Sequence, residues 1–186
     1  MPRAPRVPQG GPSIFDVDAV GDQPLPEPDE GLPASHDTLP EPDEGPAPVR
    51  TLVVEADGGS RGNPGPAAYG ALVRDAATGA VLDSEGMTLG VATNNVAEYS
   101  ALIAGLEMAR AADPNAALDV RMDSRLVVEQ MAGRWKVKHP SMKPLFARAR
   151  LLLPAVVTWT WVPREENKAA DALVNAALDG SPRKRH

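Results

Sequence analysis

Four acidic residues stand at the start or end of predicted elements: Asp57, Glu98, Asp123 and Asp171. No cysteine is present, and the three histidines (36, 139 and 186) are too scattered to build a metal centre between them. If the four carboxylates converge, nothing in their motifs neutralises them, and a cation must. All-oxygen ligation selects hard ions, Mg²⁺ or Mn²⁺. Two such ions roughly 4 Å apart support in-line displacement at a phosphodiester, one activating water and the other stabilising the leaving oxygen. Each acid alone is weak evidence. An Asp at a strand end is commonly a turn former, and a Glu in a first helical turn serves the helix dipole. All four together, with the loops beside them, point to that chemistry.

The elements that would position these acids follow from the hydrophobic pattern. An apolar run gives a first strand over 51–57, ending in Asp57 and passing into a Gly-rich loop that lets a ligand come close. Strands over 67–74 and 80–89, joined by a turn at 75–79, complete an antiparallel meander. Thr93, Asn94 and Asn95 open a helix that runs to about 112 and ends before Pro114. A fourth strand (118–122), a helix (124–131), a polar loop (134–140), a helix capped by Ser141 and running to about 153, a fifth strand (156–162) and a last helix (167–178) follow. Alternation of strand and helix in this half implies parallel crossovers onto the same sheet. The expected class is α/β, a mixed five-stranded sheet flanked by helices. Glu98 shares a helix face with Leu102, Gly105 and Ala109, and Asp171 shares one with Val174 and Leu178. Charges on packing faces are expensive unless paired or metal-bound. Asp57 and Asp123 end strands, and open α/β sheets build sites at carboxyl ends.

The net charge of −6 divides unevenly. Residues 1–50 carry ten acids against three arginines, whereas the remainder has 16 basic and 15 acidic residues. The acidic balance therefore comes from the N-terminal stretch and does not exclude a nucleic-acid partner. That stretch holds 12 of the 20 prolines, and its composition predicts a disordered tail over 1–49. LPEPDEG occurs at 25–31 and again at 39–45. The unit reads as a solvated linker, with docking to a partner protein or competition with nucleic acid as the sharper alternatives. The division expected is tail 1–49, folded domain 50–180 and basic tip 181–186, the tip either adding nonspecific affinity or simply solvated. No apolar run approaches the ~20 residues that span a bilayer, and no hydrophobic leader follows Met1. A soluble, cytoplasmic monomer without membrane contact is the expectation.

Four segments follow one another along the chain: Asp57-Gly58-Gly59-Ser60-Arg61-Gly62-Asn63-Pro64-Gly65, Thr93-Asn94-Asn95-Val96-Ala97-Glu98, Asp123-Ser124 and Asn167-Lys168-Ala169-Ala170-Asp171-Ala172-Leu173. In sequence and order they resemble the motifs of type I ribonuclease H. The resemblance implies the ribonuclease H-like fold and an endonuclease that cuts the RNA strand of RNA–DNA hybrids with two Mg²⁺ ions (Mn²⁺ substituting), leaving 5′-phosphate and 3′-hydroxyl ends. Asp57 would bridge the ions, Glu98 and Asp123 would hold the substrate-side ion, and Asp171 the water-activating one. Implied substrate contacts are Gly58, Gly59, Asn63, Pro64, Gly65, Thr93, Asn94, Asn95, Ser124 and Arg164. Backbone groups of 62–65 would meet ribose 2′-hydroxyls. The same loop argues against a DNA resolvase or exonuclease of this superfamily, and the four acids argue against a noncatalytic hybrid-binding module.

Two departures point to a compact branch that lacks the family's long basic protrusion and loop histidine. Arg164 stands where many members have the histidine, and it cannot be a base with a pKa above ~12. The segment 134–143 is short, with Trp135, Lys136 and Lys138 as candidate DNA-strand contacts. Some members of this branch also accept double-stranded RNA. Trp159 and Trp161 alternate on the fifth strand and are expected in the core, and Arg125 is a candidate phosphate contact.

Overall fold

The computed structural model describes residues 50–185. The expected tail 1–49 and its repeated LPEPDEG lie outside the described residues. Five strands and four helices follow in the order β1 (Thr51–Ser60), β2 (Gly65–Asp75), β3 (Val81–Ala92), α1 (Asn94–Ala112), β4 (Ala117–Met122), α2 (Arg125–Met131), α3 (Met142–Leu151), β5 (Val157–Trp161) and α4 (Lys168–Leu178). The sheet order is β3-β2-β1-β4-β5. β1 pairs antiparallel with β2 and β2 with β3, whereas β4 runs parallel to both β1 and β5. The α/β class and the mixed sheet are as the pattern predicted.

Small residues on alternate faces of the sheet let helices close in from both sides. Gly105 of α1 lies on Val54, where an added Cβ would come within 2.5 Å of Val54 Cγ1. On the opposite face Gly70 lies under α4, and a Cβ there would sit 2.4 Å from the Ala170 carbonyl oxygen. The larger core forms under α1 from Leu52, Val54, Leu102, Leu106, Val120 and Met122, all fully buried. Each such side chain contributes about 1.5–3 kcal/mol. Tyr99 is buried among them and donates its hydroxyl proton to Gln130 Oε1 at 2.7 Å, fastening α1 to α2.

Several boundaries differ from expectation. β1 does not end at Asp57. It continues to Ser60 because β2 begins at Gly65 and pairs with the extension, Asp57 opposite Gly70 and Ser60 opposite Ala67. Only the parallel ladder with β4 stops early, at Ala56 opposite Met122. Ser124 and Ser141 precede their helices without a side-chain cap bond, and Ser141 Oγ lies instead 2.7 Å from His139 Nδ1. A 3-10 turn at Arg164–Glu166, absent from the expectation, leads into α4. The basic tip is not loose either. Arg183 exchanges two 2.7 Å backbone bonds with Gly86 on edge strand β3, and Arg185 reaches Glu107 Oε2 at 3.2 Å. Among the described residues no helix is long and apolar enough to cross a membrane.

Candidate active site

The early end of the β1–β4 ladder creates the site. Just past its last pair, Asp57 and Asp123 emerge from adjacent parallel strands. α1 brings the third acid. Thr93 caps that helix, its hydroxyl oxygen accepting from the Val96 amide at 3.4 Å. The first turn rests directly on Gly58, where a Cβ would fall 2.1 Å from the Ala97 carbonyl carbon and 2.2 Å from the Glu98 nitrogen. Only glycine permits this approach, which sets Glu98 beside Asp57. Carboxylate oxygens of Asp57, Glu98 and Asp123 all lie within 4.8 Å of one another. Asp171 lines the same cleft of about 220 Å³ but stands outside that triad. Its carboxylate is engaged by the Arg164 guanidinium and by Asn175 Nδ2, the latter at 2.9 Å.

Crowding these acids is costly. Burial, then the charges of Asp123 and Asp171, push the Asp57 carboxyl up to about 7, against the opposing pull of Arg164 and the Gly58 amide. Burial, then Asp57 and Asp123, raises Glu98 well above the ordinary range. Asn94 Nδ2 approaches Glu98 Oε1 at 3.5 Å, while the buried Glu98 Oε2 has no hydrogen-bond partner. Oxygen-only donors, mutual repulsion and an orphaned carboxylate oxygen together fit a hard divalent cation.

The other expected site residues separate into groups. Gly58 and Gly65 are buried, and their lack of a side chain serves packing more than ligand approach. A Cβ on Gly65 would lie 2.2 Å from the Arg61 carbonyl oxygen. Gly59 packs beside Val174 of α4. Asn63, exposed and cis-linked to Pro64, accepts from the Asn94 amide at 3.2 Å and so fastens the β1–β2 loop to α1. Asn94 faces the acids. Asn95, exposed, faces a second cavity of about 530 Å³ with Arg134, Trp135, Lys136 and Lys138. Trp135 is half exposed, not part of the core. Ser124 follows Asp123 half-buried, and Arg125 is exposed. The expectation for Trp161 was wrong. It is 50 % exposed, because β5 is an edge strand, and its indole Nε1 donates to the Asp123 carbonyl at 3.0 Å. Trp159 does pack against the core.

Two residues beside the acids stood in the quoted motifs but were not among the expected site residues. Arg61 lines the cleft and pairs with Asp179 at 2.5 Å. Asn167 is buried, and its side-chain amide donates to the Ala56 carbonyl and to Asp123. The pattern placed it only at the start of the last helix, and no local signal marks a bond 44 residues away.

The reverse transcriptase-like family model matches residues 55–177. A ribonuclease H from Hydrogenovibrio crunogenus is 35% identical over 139 residues, covering 66% of this chain and 92% of that protein. The chain belongs to the ribonuclease H family. It is also 52% identical over 132 residues to the bifunctional protein Rv2228c of Mycobacterium tuberculosis, a match that covers 70% of this chain but only 36% of that protein. Among solved structures, LC11-RNase H1 in complex with an RNA/DNA hybrid superimposes with a TM-score of 0.65 at 39% identity, covering 70% of this chain and 98% of that one. As a ribonuclease H family member, the chain carries its acid cleft at the shared end of the two central parallel strands.

Proposed function

We propose that this chain is a divalent-cation-dependent endoribonuclease that hydrolyses the RNA strand of RNA–DNA hybrids, leaving 5′-phosphate and 3′-hydroxyl ends. The observation that carries this reading is the triad Asp57, Glu98 and Asp123, with oxygens mutually within 4.8 Å and Glu98 Oε2 orphaned. Membership of the family and likeness to a hybrid-bound relative supply the substrate.

Asp57, Glu98, Asp123 and Asp171 would hold the cations, Asp57 being central because it is repelled by both Asp123 and Asp171. Bound Mg²⁺ or Mn²⁺ would supply an activated water and charge neutralisation at the scissile phosphate. The chain's own groups do the rest. Arg164 balances Asp171 through one amino group, and its planar guanidinium has donors left for a backbone phosphate. The Thr93 hydroxyl oxygen is used as the helix cap, and its proton remains for a DNA-strand phosphate. Loop 62–65, pinned to α1 through Asn63, offers backbone groups to ribose hydroxyls. Trp135, half exposed among Arg134, Lys136 and Lys138, suits stacking and phosphate contact along the DNA strand.

A labelled RNA–DNA hybrid, double-stranded RNA and double-stranded DNA, each incubated with Mg²⁺, Mn²⁺ or EDTA, test the reading. Metal-dependent cuts inside the RNA of the hybrid support it. Binding without cleavage would assign a noncatalytic module, and cutting of DNA a resolvase or exonuclease.

A further inference from the structure

We propose that Asn167 is a positioning residue that fixes the Asp123 carboxylate and, through it, the spacing between Asp123 and Asp171. The inference rests on the reading of the acid cleft as a cation site. Asn167 is 1% exposed and sits between the 3-10 turn and α4. Its backbone closes both elements: the amide donates to the Arg164 carbonyl at 3.0 Å, and the carbonyl accepts from the Asp171 amide at 3.1 Å. Its side chain makes no cap bond to α4, although Asn is a favoured capping residue. The amide reaches across the fold instead. Nδ2 donates to the Ala56 carbonyl at 2.9 Å and to Asp123 Oδ1 at 3.1 Å.

Those two partners are acceptors only, so they fix which way the amide faces. A flipped amide would set its oxygen against two oxygens. The consequence is that Asn167 Oδ1 is buried without a partner, and an unsatisfied buried carbonyl is destabilising. A residue kept only to fill space would be apolar and avoid it. Asn167 thus bonds to the residue before Asp57, to Asp123 itself and to the backbone of Asp171. One side chain and its backbone tie together the segments that carry three of the four acids. Only Oδ1 of Asp123 is held, which leaves the other oxygen for a cation.

The test is calorimetric titration of Mn²⁺ into the metal-free full chain without substrate. Asn167→Ala is expected to weaken Mn²⁺ binding about tenfold or more, as removal of a ligand's hydrogen-bond partner does. In an Asp123→Asn background the same change should cost no further affinity, because no carboxylate remains to be held. Hybrid binding in EDTA should stay within about twofold, since no substrate contact is altered. Unchanged Mn²⁺ affinity in a folded Asn167→Ala protein overturns the proposal, as does an equal loss in the Asp123→Asn background. Circular dichroism checks folding, and Asn167→Ser, which keeps a small hydroxyl, replaces the Ala variant if that one does not fold. Collapse of both would assign Asn167 to the core and also overturn the proposal. Asp57→Asn separates the two readings. If it too leaves Mn²⁺ binding intact, the cation site itself is misassigned. If it abolishes binding while Asn167→Ala does not, only the role of Asn167 fails.

Discussion

Replacing Asp57 by Asn should make the metal-free protein more stable at neutral and alkaline pH. A carboxyl moved from 3.8 to about 7 by burial and by Asp123 and Asp171 is harder to ionise in the folded state than in the unfolded chain. That difference amounts to about 4 kcal/mol. The native state holds the proton more tightly than the unfolded state, so stability from this group is complete below about pH 4. It is lost as pH rises through about 7. The amide of the Asp57→Asn variant does not titrate and would escape the loss. Part of the repulsion falls on groups that also relax, so a gain of about 2–4 kcal/mol at pH 8 is expected, roughly 10 °C in Tm for a domain of this size. Urea unfolding in EDTA at pH 8 and at pH 4 measures it. The gain should shrink towards zero at pH 4. Mg²⁺ should then stabilise the wild type but not the variant, because only the former binds the ion well. An Asn variant less stable than wild type at pH 8, or a gain equal at both pH values, refutes the reasoning.

Gly58→Ala should lose at least about 2 kcal/mol in urea unfolding, since its methyl would meet α1 backbone that cannot rotate away. A neutral result would mean that α1 is not seated on β1 as described. Arg164→His should change the cleavage rate and add a titration near pH 6–7 to the rate profile. An identical rate at every pH removes this position from the reaction. Trp135→Ala should raise the KM for hybrid by about 5- to 100-fold, the value of a lost base stack, with Tm nearly unchanged because the ring is half exposed. An unaltered KM rules out the DNA-strand contact.

The strands and helices were legible because their signals are local. An apolar run gave β1, and Thr93 marked the start of α1 through its capping hydroxyl. The four acids stood out by their places at element ends, and three of them, Asp57, Glu98 and Asp123, converge in the structure. The pairings that refine the site were not. The extension of β1 to Ser60 depends on where β2 begins, which is a property of two strands. Gly58 looked like a ligand-facing loop residue, but its reason is the α1 turn lying about 40 residues further along the chain. Trp161 followed the alternation of β5, yet the edge position of that strand leaves it open beside Asp123. The resemblance placed Arg164 near the last acid, but its ion pair with Asp171 comes with the unexpected 3-10 turn.

The central claim meets its most direct test in a single gel. A hybrid labelled at the 5′ end of its RNA strand is incubated with the chain and Mg²⁺, beside EDTA and the Asp57→Asn and Asp123→Asn variants. Internal RNA cuts ending in 3′-hydroxyl groups are expected with Mg²⁺ alone, with the DNA strand intact and both variants silent yet still bound to hybrid. RNA left whole with every divalent cation tried, or cleavage that survives either substitution, would contradict the account.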